Sequence, residues 1–218
     1  MVLPRRFYNR PTLDVARDLI GKVLVHETRR GLASGVIVEV EAYVGESDPA
    51  CHAAPGPTAR NAPLYGPPGI AYVYLNYGIH YLVNAVTEAE GWPAAVLLRA
   101  LEPQDGIPLM RRRRAPARPR ESLGAAPSRA EGRRRAGPGD LAVDDLCRGP
   151  GNLTKALGID LTQNLVDLTG GALRIEDQKG PTRPLSWSRR IGITVGTERE
   201  WRVFAADSAA VSGPKRRS

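Results

Sequence analysis

The chain has 218 residues, 42% of them hydrophobic and 25% charged, with 31 Lys and Arg against 23 Asp and Glu for a net charge of +8. That is one domain's worth of sequence with enough apolar content for a buried core, which excludes a disordered or fibrous chain. No apolar run approaches the roughly 20 residues of a membrane span. The opening MVLPRRFYNR lacks a secretory signal's apolar stretch, so the expected location is the cytoplasm, with the nucleoid in a prokaryote. Cys51 and Cys147 form no Cys-x-x-Cys pair, which argues against a disulfide framework and against a metal site.

In chain order, residues 12–20 read as a short helix, with Thr12 as N-cap, Leu13, Ala16, Leu19 and Ile20 on one face, and Gly21 as its stop. Residues 22–28 and 35–44 read as strands joined across Arg29, Arg30 and Gly31. A third β region covers 70–86, a hairpin with Tyr77-Gly78 at its tip, and a fourth covers 94–101. Gly149-Pro150-Gly151-Asn152 makes a turn before a short helix that Gly158 closes. LRIEDQ, RIGITVG and EWRVFA supply further strands. The pattern predicts a mainly antiparallel α+β fold, a single domain over 1–211 with a curved, open-barrel-like sheet and a few flanking helices.

The positive charge is unevenly spread. Residues 105–140 hold ten Arg against four acids, a balance of +6, and 212–218 add +3, which leaves the rest of the chain at −1. Segment 105–140 has few large apolar residues, so it is expected to be a flexible insertion, and 212–218 a disordered basic tail. The insertion is either a solvated loop or a basic arm that raises affinity for nucleic acid without reading sequence.

Several residue patterns could carry chemistry. Between Val36 and Val44, parity puts Val36, Val38, Val40 and Ala42 on one face and Glu39, Glu41 and Tyr43 on the other. That second face is either a solvated surface or an acid/base site, because carboxylates roughly 7 Å apart along a strand raise one another's pKa. Four of the chain's seven tyrosines lie within Tyr72–Tyr81. Tyr72 suits core packing, whereas an aromatic at a hairpin tip such as Tyr77 suits a wedge between stacked bases. His52 follows the strand on a loop of small residues, as a surface residue or a partner of the Glu41 and Tyr43 face. Arg99 sits in an otherwise apolar strand, where burial demands an anionic partner.

Together EVEAYVG, the loop with DPACH, the run YVYLNYGIHYLVN, the strand VLLRALEP and the segment CRGPGNLTKALGI resemble the alkyladenine (3-methyladenine) DNA glycosylase family, the aromatic-wedge type unrelated to helix-hairpin-helix glycosylases. The resemblance implies a monomeric, cofactor-free enzyme of base excision repair. Its substrates would be damaged purines (3-methyladenine, 7-methylguanine, hypoxanthine and ethenoadenine) in double-stranded DNA. By the same resemblance Glu41 is the general base that activates water, and Arg99 helps hold that water and the carboxylate. Tyr43, His52 and Tyr74 are aromatic walls around the extruded base, and the main chain at Ala50 borders its edge. Tyr77 is the wedge with Ile79 beside it, and Asn84 is a gate that collides with the 2-amino group of guanine. Two departures from the family pattern, AAPGPTARN after His52 and Leu64-Tyr65, bear on phosphate contacts and lesion range.

The chemistry is consistent with those roles. An N-glycosidic bond breaks through an oxocarbenium-like transition state, so a carboxylate beside the sugar both activates water and stabilises charge. No lysine falls in an acid or aromatic motif, so a Schiff-base lyase step is not expected. Two alternatives compete: a non-catalytic DNA-binding protein, and a carbohydrate glycosidase using Glu39 and Glu41. The second suffers because its carboxylates must flank a bond, and these share one strand face.

Overall fold

The computed structural model describes residues 1–115, 141–178, 180 and 182–213. One curled antiparallel sheet carries the fold. Its strands are β1 (Val23–Thr28), β2 (Gly31–Val44), β3 (Ala71–Asn76), β4 (His80–Val86), β5 (Ala94–Pro103) and β6 (Leu173–Glu176), in the order β3-β4-β5-β2-β1-β6. A short hairpin, β7 (Leu185–Ser188) and β8 (Arg202–Ala205), joins it through β8 on β2. Helices α1 (Arg5–Tyr8), α2 (Thr12–Leu19), α3 (Ile107–Arg114) and α4 (Pro150–Leu157) flank it. None of the described helices is long and apolar enough to cross a membrane.

The long strand β2 organises the rest. One edge pairs with β5 over most of its length, while the other is divided between β1, from Gly31 to Val36, and β8, from Glu39 to Glu41. The register against β5 slips on both sides of Glu39, and an irregularity of this kind bends a strand and re-aims its side chains. The expected strict parity is broken there: Val36 and Val38 pack with Phe204, Ala205, Ala210 and Val211, while Ile37, Val40 and Ala42 join the main core.

Several expectations need correction. Thr12 is not a cap: Pro11 precedes the helix, and the Thr12 hydroxyl meets Thr87 and Glu88 across the fold. Leu13 is on the exposed side, and Thr12, Val15, Ala16 and Leu19 form the buried face. RIGITVG is a loop rather than a strand, and the strand that pairs with β8 is Leu185–Ser188 instead.

Part of the segment 105–140, expected as a flexible insertion, is built into the fold. Residues 107–114 form α3, entered through Gly106 at φ 76°, where a Cβ would lie 2.2 Å from the Leu32 carbonyl oxygen. Leu109 and Met110 are buried. Arg113 donates to the Ala156 and Leu157 carbonyls at the end of α4 (3.1 and 2.7 Å), Arg111 to the Leu141 carbonyl, and Arg114 to Asn152. Average composition missed this because three apolar residues, Ile107, Leu109 and Met110, anchor the helix while the arginines contribute their alkyl stems and donors to packing. Residues 116–140 lie outside the described residues, as do 214–218. Ser212, expected in the disordered tail, is buried against Glu39.

Candidate active site

A cavity of about 400 Å³ opens between the β3–β4 hairpin, the loop after β2 and the loop around Ile191. Tyr43, Ala50, His52, Tyr74, Asn84, Tyr77 and Arg99 all line it. Glu41 is fully buried behind this lining. Ile79 is 73% exposed and faces a separate groove beyond the hairpin tip, with His80 and Lys155.

The walls are aromatic. The His52 and Tyr74 rings meet at 4.5 Å between centroids and 62°, and His52 Nδ1 lies 2.9 Å from the Tyr72 hydroxyl. Burial, with Arg60 nearby, pushes the His52 imidazole below its ordinary value, which keeps the ring neutral at neutral pH. Burial pushes Tyr72 up to about 12, so these walls are uncharged. Tyr72 and Asn84 are cross-strand partners, and the Asn84 amide donates to the Tyr72 carbonyl at 3.0 Å. That bond fixes which way the Asn84 side chain is held.

Tyr77 stands at the hairpin tip, 84% exposed, with φ 49°. A non-glycine residue in the left-handed region costs about 1–2 kcal/mol. Gly78 follows at φ 68° and takes up the rest of the reversal. The turn spends backbone strain to hold an aromatic ring in solvent, the reverse of what core packing would require.

The carboxylate beneath the cavity is tightly held. Glu41 Oε1 accepts from the Ile191 backbone N–H at 2.7 Å and lies 3.2 Å from Arg99 Nη1, while Oε2 accepts from the Tyr43 hydroxyl at 2.9 Å. Burial nonetheless pushes the Glu41 carboxyl above its ordinary value against the pull of Arg99. Ile191 belongs to the segment expected as a strand. Its N–H donates to the carboxylate instead of to a strand ladder. Glu39, also fully buried, pairs with Arg99 at 3.0 Å and Arg202 at 2.7 Å.

Sequence reasoning missed Asp48, Arg190, Arg202 and Ser212. Asp48 is fully buried, takes both Arg190 amino groups (2.6 and 2.8 Å), and accepts from the Val44 and Ala50 N–H groups. It therefore fixes the loop that carries Ala50 and His52. Arg190 also sits 4.7 Å over the Tyr43 ring and donates to the Ala42 carbonyl. The segment around Asp48 was legible only as a loop of small residues, and a partner 142 positions away leaves no local signal.

A family model described as "Methylpurine-DNA glycosylase (MPG)" matches residues 6–209. Relatives provisionally named 3-methyladenine DNA glycosylases match nearly end to end. The protein of Rubrobacter xylanophilus is 46% identical over 92% of this chain and 91% of its own length. That of Chlorobium phaeobacteroides is 42% identical over 96% and 94%, and that of Methanocella arvoryzae is 42% identical over 97% and 96%.

The geometry around Asp48 gives a stability prediction. Asp48→Asn leaves Arg190 buried without its counter-charge and is expected to cost about 3–5 kcal/mol. Asp167→Asn, which breaks the half-exposed pair with Arg5, should cost no more than about 1 kcal/mol. Urea unfolding midpoints compare the two, and equal losses would mean that the Asp48–Arg190 pair is not desolvated.

Proposed function

Since the chain belongs to the methylpurine-DNA glycosylase family, and is therefore a DNA glycosylase of base excision repair, we propose that it draws a damaged purine nucleotide out of duplex DNA into the 400 Å³ cavity and hydrolyses its N-glycosidic bond. The observation that carries this reading is Glu41, a buried carboxylate with raised basicity, directly behind a cavity walled by uncharged aromatic rings.

An ionised carboxylate offers about four lone-pair positions. Three donors, from Ile191, Arg99 and Tyr43, meet Glu41 among the described residues. The remaining position on Oε2 suits a water molecule, with Arg99 beside it. Glu41 takes that water's proton as its oxygen attacks the anomeric carbon, and the departing purine leaves with the electron pair of the broken bond. The carboxylate's charge also favours the oxocarbenium-like transition state.

Substrate selection follows from the walls. Alkylation at N3 or N7 makes the purine cationic, which improves the leaving group and strengthens its attraction to the faces of Tyr43 and Tyr74. A neutral His52 adds no repulsion. Hypoxanthine and ethenoadenine belong to the same reading through easier extrusion of a mispaired or distorted base. Asn84, held by its bond to Tyr72, is the gate against guanine, and the Ala50 main chain borders the base edge. Tyr77 fills the space that the nucleotide leaves, with Ile79 beside it on the far side of the tip.

Lys22 pairs with Asp177 and Lys155 lies in the groove beyond the tip, so neither lines the cavity; Lys179 and Lys215 lie outside the described residues. The reading is accordingly a monofunctional hydrolase that leaves an intact abasic site. It acts as a monomer, without a cofactor, in the cytoplasm, at the nucleoid in a prokaryote.

Release of free base from duplex containing hypoxanthine or 3-methyladenine tests the reaction. Glu41→Gln should lower the single-turnover rate by about 10²–10⁴-fold with DNA binding retained; full activity in that variant contradicts the mechanism. Tyr77→Ala should reduce excision from duplex far more than from a single strand, where nothing must be unstacked. Equal losses on both substrates count against the wedge.

A further inference from the structure

Glu39 takes part in no step of the reaction described above, yet every oxygen of its buried side chain is occupied. Oε1 accepts from Arg99 Nε at 3.0 Å and from Arg202 Nε at 2.7 Å, and Oε2 accepts from the Ser212 backbone N–H at 2.6 Å. Arg202 is itself fixed: Nη1 donates to the Ser188 hydroxyl at 2.8 Å, Nη2 donates to the Ser212 carbonyl at 2.7 Å, and the guanidinium lies 4.3 Å over the Phe204 ring. Ser212 closes the arrangement, since its hydroxyl accepts from Arg99 Nη2 at 3.3 Å.

Every nitrogen of the Arg99 guanidinium thus has an assignment. Nε goes to Glu39 and Nη2 to Ser212, which leaves Nη1 directed at Glu41 across 3.2 Å. We propose that Glu39, locked by Arg202 and Ser212, is a positioning residue for base excision: it sets the orientation of Arg99 and withholds part of that arginine's charge from Glu41. The inference rests on the reading of Glu41 as the general base.

The electrostatics give the reason. A guanidinium facing one buried carboxylate would hold it as a closed ion pair and make it a poor proton acceptor. Here Arg99 is shared between two carboxylates, and Arg202, 2.7 Å from Glu39, gives that carboxylate a second guanidinium partner. The groups facing Glu41 are Arg99 from β5, the Tyr43 hydroxyl from β2, Tyr74 from β3, the Ile191 N–H and Arg190 from the loop beyond β7, and Glu39. Within this set Glu39 is the negative charge that opposes Arg99.

The test uses the full chain and duplex DNA containing 7-methylguanine, whose fixed positive charge adds no titration on the acid side. Single-turnover release is measured against pH for wild type, Glu39→Gln and Ser212→Ala. Glu39→Gln keeps the side chain's shape but removes its charge, so all of Arg99's charge falls on Glu41. The acid limb should move down by about one pH unit, and the plateau rate should fall about 10- to 100-fold through misaimed groups, with duplex affinity unchanged. Ser212→Ala retains the N–H and carbonyl that hold Glu39 and Arg202, and so probes the same arrangement without removing a buried charge. Losing its hydroxyl on Arg99 should cost about 3- to 10-fold in rate at unchanged affinity and melting temperature. Wild-type rates in both variants, or a loss of stability with rate and acid limb unmoved, overturn the proposal while leaving Glu41 as base. A wild-type protein that releases no base overturns the glycosylase reading itself, and the inference with it.

Discussion

Three carboxylates and three guanidinium groups are buried together beside the cavity: Glu39, Glu41 and Asp48 with Arg99, Arg190 and Arg202. Each charge alone would cost several kcal/mol to desolvate, and removing one partner leaves the other uncompensated. Their mutual cancellation therefore constrains the fold. The strand β2 delivers two of the acids, β5 and β8 deliver two of the arginines from its opposite edges, and the loops at Asp48 and Arg190 close the set. A sheet that failed to curl would separate these groups and expose the cavity's floor.

The chain sums to −1 outside residues 105–140 and 212–218, and the three buried acids and three buried arginines add nothing to that balance. Its central arginines are consumed internally and offer little to a phosphate backbone. Exposed cations Arg29, Arg30 and Lys155 line the groove past the hairpin tip, apart from the cavity. Tyr77 stands between the two, belonging to the cavity's rim while Ile79 and His80 face the groove. The strained turn that projects it makes the same division in backbone terms.

The parts of this arrangement that were legible in the sequence are those with a local signature. Alternation along β2 put Glu39, Glu41 and Tyr43 together, the tyrosine run and Tyr77-Gly78 announced the hairpin and its tip, and Arg99 stood out as a charge in an apolar strand. Seven of the residues singled out line one cavity, and Glu41 lies behind it. What stayed hidden depends on long-range pairing. Ser212 meets Glu39 across 173 positions and Arg190 meets Asp48 across 142, and neither leaves a periodicity to read. RIGITVG resembled a strand because its alternation is real, but its backbone donor at Ile191 serves a carboxylate. α3 was obscured by the arginine-rich sequence around it, since composition averages over a window in which a few apolar residues, Ile107, Leu109 and Met110, supply the anchor.

Burial and a shared arginine leave Glu41 a stronger base than an ordinary carboxylate. The most direct measurement is the acid limb of single-turnover 7-methylguanine release by the wild-type protein, followed down through the carboxylate range. Because the Glu41 pKa is raised, activity should be lost as pH falls through a midpoint above the ordinary value of 4.5. A midpoint at or below that value would show that Arg99 holds the carboxylate as a closed ion pair, and would contradict the account.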